Sequence, residues 1–447
     1  MSNHQPEHQE KTPGTEFERP DDFYQRIPEI EWVGGYRKGG FHPVYIDDII
    51  HSRYQIVNKL GYGSYATVWL VQDLHSESGR HAALKILAAD RTAANSAEIE
   101  VLRRLKTMQR ERPDSPGAEF VVRVLDLFTV HGPNGTRINV SLLWDSYYEV
   151  LDSKSGVAEE PGYPVEMKVG EYPVDMAKTM VAQLAQGVAY LHRAGIVHGD
   201  LHLGNVLLYS PEFEKWSSEE DVDEYIDPPE EVMLARNAPY RDLPFVDPHT
   251  PEYLVSSSTS AELLALCVTG AVHIKICDFG EAFLWSNTTH AHAHEPRPTL
   301  NIPSVYAAPE IIFRDAVSPA VDVWATAVLA YYLLSGGSYL FDSDGGIAAE
   351  VVCAMIAKLG RLPDKWHAQL GSRFGDTGNG VYDFSAAELE GQELVRSTSL
   401  DQEDKGMFEG LLRKMVCYRA ADRISADGVA RAVAGWIRGG EAHEHQI

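Results

Sequence analysis

Two periodicities divide this chain. Apolar and polar residues alternate through Tyr54-Gln55-Ile56-Val57. A second run, Ala66-Thr67-Val68-Trp69-Leu70-Val71, follows a Gly-containing turn, and a third is Ala82-Ala83-Leu84-Lys85-Ile86-Leu87. These runs predict three strands. The spacing then lengthens. Ile99, Leu102 and Leu105 share one face of a helix predicted over 96–105, with Ser96 as its N-cap. Met180, Leu184, Val188 and Leu191 line one face of a longer helix from Met176 to Arg193. Val321 to Leu334 is almost wholly apolar and predicts a helix buried on every side. No internal repeat is present.

Two stretches follow neither period. The first 25 or so residues are rich in His, Gln, Glu and Pro and predict disorder, as part of a tail running to residue 38. Between about 209 and 272 lie acidic and proline-rich runs, such as Ser217-Ser218-Glu219-Glu220-Asp221 and Asp227-Pro228-Pro229-Glu230-Glu231. They predict an insert, mostly loop, with a short helix at Ser260 to Leu266. Its default role is a solvated spacer, and docking or regulation is the alternative.

At 447 residues the chain exceeds a single core and is expected to form more than one lobe. No apolar run is long enough for a membrane span, and the polar stretch Met1–Pro20 does not read as a secretory signal. Cys267, Cys277, Cys353 and Cys417 show no paired metal spacing and fit a reducing compartment. The net charge of −26 argues against nucleic-acid or anionic-membrane partners and favours a basic one, with plain solubility as the competing explanation.

The candidate chemistry sits in ordered motifs. Leu60-Gly61-Tyr62-Gly63-Ser64-Tyr65-Ala66-Thr67-Val68 is a Gly-rich loop whose backbone can approach phosphates closely. Lys85 follows on a strand and Glu98 on a helix, with Glu100 as the rival acid. His198-Gly199-Asp200-Leu201-His202-Leu203-Gly204-Asn205 comes later, then Asp278-Phe279-Gly280 and Ala308-Pro309-Glu310. In this order the motifs resemble a eukaryotic-type protein kinase over roughly residues 40 to 436.

That resemblance implies an α+β, bilobal protein kinase fold with a small β-rich N-lobe and a larger, mainly α-helical C-lobe. The N-lobe would span 39–145 with the ATP-binding loop, the C-lobe 146–436 with the insert, and 437–447 would be a C-terminal tail. Asp200 would orient the acceptor hydroxyl and take its proton, while Asn205 and Asp278 hold Mg2+. Lys85, aligned by Glu98, would meet the α- and β-phosphates of ATP. Leu60, Gly61, Tyr62, Gly63 and Ser64 would cover the phosphates. Val68 and Ala83 would pack on the adenine from above and Leu207 from below, core packing being the competing role, and the hinge would fall near Trp144 and Asp145. Glu310 and Arg423 would form a buried pair, and Asp322 would brace the catalytic loop. Cys277 would border the ATP pocket, by default as a small packed residue, with a thiol open to covalent modification as the alternative.

Gly39-Gly40-Phe41-His42-Pro43-Val44, leading into Leu60-Gly61-Tyr62-Gly63 and Thr67-Val68-Trp69-Leu70, resembles the SR-protein-specific kinases, above all the short fungal members. This implies serine phosphorylation in Arg/Ser-rich splicing-factor tails and a distribution between cytoplasm and nucleus. The acidic balance suits such a substrate. The chain departs from the common kinase pattern at several points. Ala66 stands where the third glycine is usual. Gly199 replaces an arginine that contacts an activation-loop phosphate, which implies activity without that phosphorylation. His202 stands where a lysine is usual, and Ile302-Pro303-Ser304 occupies the place of its threonine neighbour. A neutral His202 would stabilise transferring phosphate less than a permanent cation. His290, His292 and His294 read as an exposed loop, with metal binding as the alternative. Two other functions stay open on these residues: a kinase-like scaffold, and a small-molecule phosphotransferase sharing the His-Gly-Asp-Leu-His-x-x-Asn string.

Overall fold

The computed structural model describes residues 23–28, 30–77, 79–90, 96–143, 146–150, 172–216, 218–241, 247–258, 261–268, 271–285, 300–375, 393–395, 398 and 400–444. The three predicted strands are longer than their alternating cores. They belong to a six-stranded sheet made of β1 (Ile49–Ile50), β2 (Tyr54–Tyr62), β3 (Ala66–Asp73), β4 (His81–Leu87), β5 (Val124–Gly132) and β6 (Gly135–Leu143), in the order β1-β2-β3-β4-β6-β5 with antiparallel neighbours. Helix α1 (Ser96–Glu111) packs its buried Ile99, Val101, Leu102 and Leu105 inward.

Three antiparallel strands form a second, smaller sheet: β7 (Ser146–Val150), β9 (Val206–Tyr209) and β12 (His273–Ile276), with β9 in the middle. Helix α2 (Val174–Arg193) buries the predicted face of Met180, Leu184, Val188 and Leu191, and adds Ala177 and Val181 to it. The apolar run becomes α5 (Ala320–Leu334) once α3 (Ala261–Val268) and α4 (Pro309–Ile312) are counted, and Trp324 at its centre is sealed from solvent. Two short strands, β8 (Ile196–Val197) and β13 (Phe283–Leu284), pair beneath the cleft. Helices α6 (Ala348–Leu359), α7 (Gln402–Met415) and α8 (Ala426–Glu444) complete the helical lobe. The arrangement is α+β, with a sheet-rich first lobe and a helical second. None of the described helices is long and apolar enough to cross a membrane.

The structure corrects three sequence expectations. The tail expected to be disordered to residue 38 is folded from Phe23 on. Phe23, Ile30, Val33 and Tyr36 are buried, and the amide of Asn237 donates to the Phe23 carbonyl at 2.9 Å. The insert is not a solvated spacer. Its root buries Phe213, Trp216, Val222, Ile226, Leu263 and Cys267 in the core of the helical lobe. Its tip, the hairpin of β10 (Glu231–Met233) and β11 (Tyr253–Val255), buries Leu254 and Val255 against the first lobe. Burial between segments so far apart in sequence leaves no local period. The short helix expected at 260–266 is present as α3. Finally, the C-terminal tail expected from 437 continues α8 to Glu444, after Trp436 anchors that helix by stacking on Phe408 at 5.8 Å.

Candidate active site

The cleft is assembled from strand ends and the loops that follow them. β2 and β3 form a hairpin closed by a 2.8 Å hydrogen bond from the Gly63 amide to the Ala66 carbonyl, with Ser64 and Tyr65 at its tip. Gly61 and Gly63 have nothing within 4 Å of the point a Cβ would occupy, so their backbone is open to a ligand. Tyr62 ends β2 and is exposed. Leu60, Val68, Ala83 and Leu207 are all buried in one cluster spanning both lobes, a placement that adenine packing and plain core packing share. Trp144 and Asp145, expected at the hinge, lie outside the described residues, as do His290, His292 and His294.

Lys85 lies on β4 with its Nζ 3.3 Å from Glu98 Oε1 and 2.8 Å from Asp278 Oδ1. Glu98 is buried whereas Glu100 is exposed, which decides between the rivals. Burial opposes the charge on Lys85, but Asp278 and Glu98 outweigh it and push its pKa up. Lys85 in turn holds the Asp278 carboxyl down to about 2. Asp278 has a φ of 56°, a left-handed conformation rare outside glycine, and its Oδ1 accepts from the Gly280 amide at 3.1 Å. Phe279, the next residue, is buried 5.3 Å from the ring of His198.

The catalytic loop hangs from Asp322. This sealed carboxylate accepts the amides of His198 at 2.8 Å and Gly199 at 2.9 Å, and pairs with His192 Nε2 at 2.9 Å. Burial works against its charge, yet His192, with smaller contributions from the His198 ring and the Gly199 amide, holds its pKa below the ordinary value. His198 Nδ1 accepts from the Asp200 amide, so its Nε2–H donates to the Cys277 carbonyl at 2.9 Å. One accepting and one donating nitrogen is the neutral imidazole, which burial also favours. His198 thereby joins the loop to the residue preceding Asp278. Gly199 has a φ of 77°, and a Cβ there would lie 2.9 Å from the Glu281 carbonyl oxygen. In this backbone conformation a side chain is poorly tolerated, which accounts for glycine at the position where an arginine is usual.

Asp200 sits at the centre of this loop. Burial pushes its pKa up to about 7, with Asp278 and Glu281 adding to the shift. Its Oδ1 is buried without a hydrogen-bond partner, while Asn205 Nδ2 donates to its backbone carbonyl at 2.8 Å. That bond uses the Asn205 amide nitrogen, so its amide oxygen and the Asp278 carboxylate would be the two oxygen ligands offered to a cation. Mg2+ takes oxygen ligands and is commonly held by one or two protein groups plus phosphates, so this pair fits it without a dedicated cage. No group of three or more metal-ligating side chains is found among the described residues. His202 Nδ1 accepts from the Gly204 amide at 3.0 Å, and its Nε2 lies 3.7 Å from Asp200 Oδ2. Burial, then His198, pushes its pKa down to about 4, so it is neutral at pH 7.

Glu310 and Arg423 meet as expected, in a buried two-pronged pair at 2.6 and 2.7 Å. Cys277 is buried, and burial pushes its thiol well above the ordinary value, which makes it a packed residue rather than a nucleophile. Sequence reasoning gave no role to His192, His198 or Glu281. Of these, His198 stood inside a recognised motif. His192 lies at the end of a long helix and carries no signal of its own.

The protein kinase domain family matches residues 54–215 and 265–433, and the break falls on the insert. A serine/threonine protein kinase of Aspergillus fumigatus is 27% identical over 408 residues, covering 89% of this chain and 88% of the relative. The serine/threonine-protein kinase SRPK of Physarum polycephalum is 28% identical over 355 residues, covering 75% and 73%. SRSF protein kinase 3 of Homo sapiens is 32% identical over 174 residues, covering 39% and 28%.

Proposed function

Because the chain belongs to the protein kinase family, as a serine/threonine protein kinase similar to the SR-protein kinases, we propose that it transfers the ATP γ-phosphate to serines in basic, Arg/Ser-rich protein segments. The observation that carries this reading is Lys85 shared between Glu98 and Asp278, at 3.3 and 2.8 Å, within one cleft with Asp200 and Asn205. Mg2+ held by Asn205 and Asp278 would neutralise phosphate charge. Lys85 keeps Glu98 as its anchor and turns toward the α- and β-phosphates. Leu60, Val68, Ala83 and Leu207 enclose the adenine, while the backbone of Gly61 to Ser64 covers the phosphates. Asp200, with one unpaired oxygen and a pKa raised to about 7, orients the serine hydroxyl and receives its proton.

The net charge of −26 supports a substrate rich in arginine. The reading needs neither nucleic acid nor membrane, and it places the protein in the cytoplasm and nucleus, where such substrates occur. It is tested by phosphate transfer from Mg-ATP to an Arg-Ser repeat peptide, with Asp278→Ala as control. Transfer by the parent protein but not by the control is expected. Binding of Mg-ATP with no transfer to this peptide, alongside transfer to an acidic or neutral serine peptide, would overturn the substrate class.

A further inference from the structure

A second lysine, Lys59, lies two strands across the same sheet, paired with Trp69 of β3 where Lys85 pairs with Val68, and takes no part in the cleft. Its side chain is sealed from solvent and forms an ion pair with Glu31, itself buried. Its Nζ also donates to the Val255 carbonyl at 3.0 Å, and lies 5.5 Å from the ring centres of both Tyr62 and Trp69. Glu31 is held in turn by the Tyr36 hydroxyl at 2.5 Å. Glu31 comes from the folded N-terminal segment and Val255 from the tip of the insert, so one ammonium ties both to β2.

The position of that tie matters. Lys59 immediately precedes Leu60 and Gly61, where β2 runs into the Gly-rich loop. The register against β3 slips there, Lys59 facing Trp69 and Gly61 facing Val68. Leu60 belongs to the cluster that lines the cleft, while Lys59 is buried among the N-terminal segment and the insert. Two further bonds grip the same stretch. Asn58 Nδ2 donates to the Asp227 carbonyl at 2.9 Å, and the Ser258 amide donates to the Lys59 carbonyl at 2.8 Å. Asp227 and Ser258 are the points where the insert leaves its root in the helical lobe and returns to it. The root is fixed by Ile226 on one side and Leu263 on the other. A buried charge cannot slide away from its partner without a large desolvation cost, so this grip holds β2 at one height relative to the lobe below.

We propose that Lys59 is a positioning residue for ATP binding, through which the N-terminal segment and the insert together hold the Gly-rich loop over the phosphates. The inference rests on the kinase reading above. Coupling between two sites is reciprocal, so nucleotide in the cleft must also steady the insert.

The test is amide hydrogen exchange of the full chain with and without a non-hydrolysable Mg-ATP analogue, together with calorimetric affinity for that analogue. In the parent, binding is expected to slow exchange at residues 253–258, which lie on the insert and outside the cleft. Lys59→Met alone strands Glu31 and can fail to fold. The double variant Glu31→Leu/Lys59→Met removes both charges and keeps apolar volume. It is expected to bind the analogue about tenfold more weakly, to raise KM for ATP by a similar factor and to leave kcat at saturating ATP within about twofold. Its exchange at 253–258 is expected to ignore the nucleotide. Analogue binding by the parent with no change at 253–258 overturns the inference alone, as does a folded double variant of unchanged affinity. If the double variant does not fold, the parent's exchange result decides. A parent that binds no analogue removes the kinase reading and this inference with it.

Discussion

Lys85 and Lys59 occupy the same sheet, one on β4 and one on β2, and each is paired with a glutamate, yet they are opposite devices. Lys85 keeps 15% of its side chain exposed and is shared by two carboxylates, one of them the half-exposed Asp278. Its charge is favoured to excess, and its pKa rises. Lys59 is fully sealed with Glu31, and burial drags its pKa down despite that partner. A lysine meant to meet a ligand has surplus acid beside it and an open side. A lysine meant to fasten chain segments has one partner and no water.

The contrast can be broken most directly by removing each ammonium. Lys85→Met is expected to lower phosphate transfer by about 10²–10³-fold, as loss of one preformed charge aimed at the reacting group does. Lys59→Met is expected to leave turnover at saturating ATP largely intact in the molecules that fold. It should cost about 3–5 kcal/mol of stability, because Glu31 is left buried and charged. Thermal melts and steady-state kinetics on both variants check the pair. A Lys59→Met protein as stable as the parent would erase the distinction.

A smaller effect is expected in the floor of the cleft. Gly199→Ala forces a Cβ into a left-handed backbone and against the Glu281 carbonyl, and should cost upward of about 1 kcal/mol in a urea melt.

The smallest effect at neutral pH belongs to the fastened side of the sheet. His42 is pushed down to about 3 by burial, with the Arg137 guanidinium beside it adding to the shift. Its Nδ1 and two of the Arg137 nitrogens are buried without hydrogen-bond partners. The unfolded chain takes up a proton on His42 below its ordinary pKa of 6.5, and the folded protein does not until near 3. Stability is therefore complete above about 6.5 and falls as the pH drops toward 3. His42→Gln should flatten that part of the profile of melting temperature against pH, while the profile above pH 7 stays where it was.

The two regions also differ in how far the sequence discloses them. Lys85, Glu98, Asp200, Asn205, Asp278, Glu310, Asp322 and Arg423 each sit in a short motif or at a fixed place on a periodic element, and the structure brings Lys85 to Glu98 and Asp278, Glu310 to Arg423, and Asp322 to the amides of His198 and Gly199. The chemistry of one reaction demands those residue types at those spacings, so local strings carry the information. The fastening of β2 has no such string. Lys59 lies beyond the alternating run of Tyr54 to Val57 and carries no signal of its own, and Phe23, Ile30, Val33 and Tyr36 are sparse apolar positions in a polar segment. Their partners, such as Leu254 and Val255, lie some two hundred residues away. Only the packed structure shows that they meet.

The hairpin of β9 and β12 has a consequence for the order in which the molecule assembles. Val206–Tyr209 pair in register with His273–Ile276 although residues 210–272 intervene. Closing so long an excursion is disfavoured by roughly 2.5 kcal/mol relative to a four-residue turn, at about 0.6 kcal/mol per doubling of length. The buried root of the insert, with Phe213, Trp216 and Leu263, offsets this only once it has collapsed. Asn205 and Asp278 stand just outside the two open ends of that hairpin. On this topology Asn205 and Asp278 are expected to come together only after the insert's root has condensed, so a half-folded chain lacks the pair.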